Sequence, residues 1–86
     1  MNTLIVSTFT CTFEVFEEFV ADFHEKEGHK YVKDYELIKL NDGKSHLILE
    51  VTDFEGLGPA TGSPEMKEWD KANGYKDTVY SLELVE

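Results

Sequence analysis

The sequence predicts an α+β domain of four short strands and two helices. Three observations carry this: apolar residues at spacings of three and four from Phe13 to Phe23, runs of β-branched and aromatic residues near both ends, and an Asn41-Asp42-Gly43 turn between two alternating segments. Residues 3–10 form the first predicted strand, dense in Thr, Ile, Val and Phe. Thr10 or Thr12 then caps an amphipathic helix of about four turns, with Phe13, Phe16, Phe19, Val20 and Phe23 on one face and five acidic residues on the other. Gly28 is its expected terminator, and residues 29–34 lead into the second strand, 35–40.

The third strand follows the turn directly, at residues 45–52. Leu47, Leu49 and Val51 share one face, while His46, Ile48, Glu50 and Thr52 share the other. Residues 53–62 contain three glycines and a proline, which predicts a short helical turn at Asp53 and then a loop. The second helix is the best-punctuated stretch, residues 63–74. Ser63 suits the N-cap, Pro64 the first helical position, Glu65 the positive end of the helix dipole, and Gly74 the left-handed C-terminal position. Residues 78–85 make the fourth strand, with Tyr80, Leu82 and Leu84 alternating against Val79, Ser81 and Val85.

The order strand, helix, strand, strand, helix, strand is the split β-α-β arrangement of ferredoxin-like domains, here one domain over residues 1–86. It implies a four-stranded antiparallel sheet with both helices on one face. Each strand carries apolar residues on both faces, as in Leu4 and Val6 against Ile5 and Phe9, so the face opposite the helices is expected to be covered by a second copy of the chain. A domain of 86 residues buries only about 60–65% of its unfolded surface, which also favours a homodimer.

Composition excludes several partners. The chain has 18 acidic residues and 8 basic ones, all lysine, for a net charge of -10. That charge repels nucleic acid and anionic membranes, and without arginine no bidentate clamp for phosphate exists. No apolar run is long enough to span a bilayer. Cys11 is the single cysteine, so no intrachain disulfide forms, and a reducing, cytoplasmic location is expected.

With Val51-Thr52-Asp53-Phe54 leaving the third strand and Ser63-Pro64-Glu65-Met66-Lys67-Glu68-Trp69 opening the second helix, the chain resembles the dimeric α+β barrel superfamily. That group includes antibiotic-biosynthesis-type and haem-degrading monooxygenases. Its haem-degrading members use a histidine near the second helix, whereas His24, His29 and His46 all lie earlier here, so the expectation is a protein without a cofactor. The resemblance implies either a non-enzymatic dimerising or small-ligand-binding module, or a cofactor-independent monooxygenase or isomerase acting on a small aromatic or apolar substrate.

A pocket between helices and sheet, lined by Phe9, Phe23, Trp69 and a tyrosine, is the expected ligand site, with Tyr35, Tyr80 and His46 as further candidates. Each has a structural alternative. Trp69 sits at core spacing with Met66 and Ala72; Tyr35 and Tyr80 suit a dimer interface equally; and His46 lacks an orienting carboxylate, since Glu50 stands about 13 Å along the strand. His24 and His29 are five apart, where helical metal pairs need three or four, so no metal site is expected. Cys11 reads as a small buried hydrophobe, and residues 56–62 as the one mobile loop able to cover a ligand.

Overall fold

Thr12 sets where the first helix begins: its backbone is extended and its side chain accepts a hydrogen bond from the Val15 amide. In the computed structural model, which describes residues 1–85, the chain runs β1 (Thr3–Thr8), α1 (Phe13–Lys26), β2 (Val32–Asn41), β3 (Lys44–Val51), α2 (Phe54–Thr61), α3 (Pro64–Ala72) and β4 (Lys76–Ser81). The class is α+β, with four antiparallel strands in the order β2-β3-β1-β4, and it is compatible with a ferredoxin-like fold.

The sequence leads to two helices; the structure has three. Residues 54–61 form α2 despite Gly56, Gly58 and Pro59. Local contacts outweigh the poor helix propensity. Asp53 caps the Gly56 amide at 3.0 Å, and the Thr61 hydroxyl returns to the carbonyls of Leu57 and Gly58. Gly56 is also a packing requirement, because a Cβ there would stand 2.5 Å from the Tyr31 ring.

Gly28 plays a different part from the one its position suggests. Glu27 is the C-cap of α1, and Gly28 opens a single 3-10 turn over Gly28–Lys30, buried against the Phe23 ring. Among the described residues only Gly74 has a positive φ, at 58°. There the end of α3 closes as a Schellman motif, with the Tyr75 amide donating to the Asp70 carbonyl at 2.8 Å. β2 begins three residues earlier than its alternation suggests, across a bulge between Val32 and Asp34 that keeps Val32 and Tyr35 on one face. β4 ends at Ser81 rather than Val85.

One face of the sheet meets the helices. Two apolar clusters sit between them: Val32, Leu47, Leu49 and Val51, joined by Val20 and Leu57, and Phe9, Phe13 and Phe16, joined by Trp69 and Tyr75. The register puts Leu4, Val6, Ile38, His46, Ile48 and Tyr80 on the opposite face. Ile38 and Tyr80 are 42% and 50% exposed, so apolar surface on that side faces solvent. Among the described residues, no helix is long and apolar enough to cross a membrane.

Candidate functional site

The two clusters do not merge into a solid interior. A cavity of about 140 Å³ remains where they meet, bounded by α1, α2 and α3 above and by β1, β2, β3 and the start of β4 below. Its walls are mainly apolar: Phe16, Phe19, Val20 and Phe23 descend from α1, and Ile5, Leu47 and Leu49 rise from the sheet. The period of α1 and the alternation of β1 and β3 bring these residues together.

Polar groups gather at one corner. The Schellman turn directs Tyr75 inward, where its hydroxyl donates to Asp77 Oδ2 at 2.9 Å. The fully buried Ser7 lies 2.9 Å from the same phenol oxygen. Since the single phenolic proton goes to Asp77, Ser7 is the donor in its own contact. Burial, reinforced by Asp77, pushes the Tyr75 pKa well up, although the Ser7 hydrogen bond works the other way. Tyr75 is therefore a neutral hydrogen-bonding group and not a base. Asp70, one turn back on α3, also lines the cavity. Partial burial raises its carboxyl pKa, and the charge of Asp77 adds to the effect.

At the diagonally opposite corner, His24 packs on Tyr35 with ring centroids 4.9 Å apart. His29 stands edge-on to His24, with ring centroids 6.5 Å apart, and its Nδ1 donates to the His24 carbonyl at 3.0 Å. Among the described residues, no three His, Cys, Asp or Glu side chains stand together as a metal-binding group. Cys11 is partly exposed, and burial raises its thiol pKa, which disfavours the thiolate.

Of the residues singled out in the sequence, Phe23 and Tyr35 line the cavity. Phe9 lies behind the wall, stacked on Phe16 at 4.5 Å. Trp69 stacks on Phe19 at 3.9 Å and faces an outer groove between α1 and the α2–α3 junction. His46 and Tyr80 stand on the opposite sheet face, away from the cavity. Residues 56–62, expected as a loop, contribute Leu57 and Thr61 to the lining from a helix.

Sequence reading passed over Tyr75, Asp70 and Asp77. The available signal was positional: a tyrosine directly after a helix-ending glycine, with an aspartate two residues on along a strand and therefore on the same face. Comparison with known proteins finds no matching family model, no matching curated protein and no matching solved structure.

Proposed function

We propose that this chain is a non-enzymatic small-ligand-binding module of ferredoxin-like build that works as a homodimer. The cavity carries the reading. An apolar cavity of about 150 Å³ holds a molecule the size of benzene, and the 140 Å³ here has aromatic walls and a few polar tips, the usual make-up of a ligand site. The ferredoxin-like assignment is supported by connectivity: the passage through α1 from β1 to β2 skips β3, and the passage from β3 to β4 skips β1. The dimer is supported by the exposed apolar face around Ile38 and Tyr80.

Thermal unfolding with a panel of benzene-sized ligands tests the site. A stabilising ligand is expected, and Leu47→Phe, which extends a wall residue into the cavity, should abolish its effect while the far-ultraviolet circular dichroism stays unchanged. A panel without effect, or equal binding by the filled variant, refutes the site. Sedimentation equilibrium tests the dimer, which a strictly monomeric protein refutes.

One observation favours a second reading, a cofactor-independent isomerase or oxygenase: Asp70 is a carboxyl of raised pKa facing an apolar cavity, a setting suited to proton transfer. Exchange of a ligand's acidic C–H proton with deuterated solvent, lost in Asp70→Asn, would favour it over simple binding.

A further inference from the structure

We infer that the ligand of this cavity is a small amine bound as its ammonium ion, with its apolar body between the aromatic walls and its charged end at the Asp70–Asp77 corner. The inference rests on reading the cavity as a ligand site.

Its basis is the direction of the protons already placed there. The Tyr75 hydroxyl proton is committed to Asp77, and the Ser7 hydroxyl is committed to Tyr75. What the corner presents to the cavity is therefore acceptors: the carboxylate of Asp70 and the remaining acceptor positions of Asp77. An ammonium group carries three N–H donors and no acceptor, so it complements such a corner. A carboxylate or phosphate would find no donor and would face two like charges.

Two further features point the same way. The lining contains no lysine, and its one basic side chain, His24, is at the opposite corner. Phe16, Phe19, Phe23 and Tyr75 bring aromatic rings to the lining, and aromatic rings attract cations. The net charge of -10 raises the local concentration of cations and lowers that of anions. Asp77 and Thr61 are exposed while Phe16 and Leu49 are buried, so the acidic corner lies toward the surface and the apolar body goes deeper. An amine can thus keep part of its hydration, which limits the penalty of burying the charge.

Titration of the intact protein at pH 7 with benzylamine, benzyl alcohol, toluene and benzoate, followed by chemical-shift changes of the Tyr75 and Asp70 amides, tests this. Benzylamine should bind about tenfold more tightly than benzyl alcohol, in line with a charge-assisted hydrogen bond, and benzoate most weakly. Asp70→Asn and Asp77→Asn should each weaken benzylamine by about tenfold while leaving toluene unchanged. If benzyl alcohol or benzoate binds as well as benzylamine, or if neither variant discriminates, the amine assignment is wrong while the cavity remains a ligand site. If none of the four binds, the ligand-site reading falls and the amine assignment with it.

Discussion

Gly74→Ala isolates a single joint of the fold. Gly74 has φ 58°, where an L-residue loses about 1–2 kcal/mol against its preferred conformations. An alanine Cβ would also stand 2.7 Å from Thr10 Cγ2, inside any tolerated contact, and relieving such overpacking costs about 1–3 kcal/mol. The backbone cannot simply move aside, because the Thr10 amide donates to the Asn73 carbonyl at 2.8 Å and the Tyr75 amide donates to Asp70. The sum, about 2–5 kcal/mol, is a large share of the roughly 4–13 kcal/mol expected for 86 residues at about 0.05–0.15 kcal/mol each. It corresponds to a fall in Tm on the order of 10–30 °C. Urea unfolding followed by circular dichroism measures it. In a Thr10→Ser background the methyl is gone and the hydroxyl can rotate away, so Gly74→Ala should there cost only the conformational part. A coupling of about 1–3 kcal/mol between the two sites is the expected result. Equal costs in both backgrounds would refute the steric account, and a cost within about 0.5 kcal/mol of zero would refute the left-handed turn itself.

Three further outcomes follow from the same contacts. Phe16→Ala removes a ring that is 2% exposed and stacked on both Phe9 and Tyr75, and should lower unfolding free energy by about 3–5 kcal/mol. Asp53→Ala removes the cap of α2 and should cost about 0.5–2 kcal/mol, with faster amide exchange confined to residues 54–61. Asp70 has its folded pKa raised above the unfolded value, so the native state gains from protonation and the charged carboxylate works against folding once the pH passes the folded pKa. Asp70→Asn should therefore be more stable than the parent at pH 7. Thermal scans should find that advantage shrinking as pH falls through the raised folded pKa toward the ordinary 3.8, and a pH-independent difference would refute the assignment.

Most elements were legible because their signals are local. Thr12, Ser63, Pro64 and Gly74 act on backbone groups within a few residues of themselves, and the alternation of Leu47, Leu49 and Val51 needs only the strand's period of two. α2 was not legible, since its glycines lower helix propensity while the benefit of Gly56 depends on Tyr31, twenty-five residues away. The site was legible on α1, where Phe23 follows from helical spacing. It was not legible at Tyr75, because only the turn after α3 and the pairing of β4 beside β1 bring that hydroxyl to Ser7. Trp69 is the one tryptophan, yet the ring that lines the cavity between it and the sheet belongs to Phe16.

The hollow interior has a structural cause. Near the polar corner, Phe9 stacks on Phe16 and Phe19 on Trp69, and the two pairs meet where Phe16 tilts against Trp69, which fills the space between α1, α3 and the sheet at that end. At the other end, α2 rests on Tyr31 through Gly56. Between these supports the sheet offers Ile5, Val32, Leu47 and Leu49, with Tyr35 at the far corner, and these do not close the gap. The cavity opens toward solvent on the side of the exposed Asp77 and Thr61, so it is an accessible hollow and not a sealed void. Replacing Leu47 or Leu49 by a longer side chain would narrow the gap and draw the two clusters together. A ligand held there would add contacts without a substitution, and its contribution to stability would rise with the logarithm of its concentration. Under the proposed function, occupancy of the cavity and folding of the domain are coupled through the same walls.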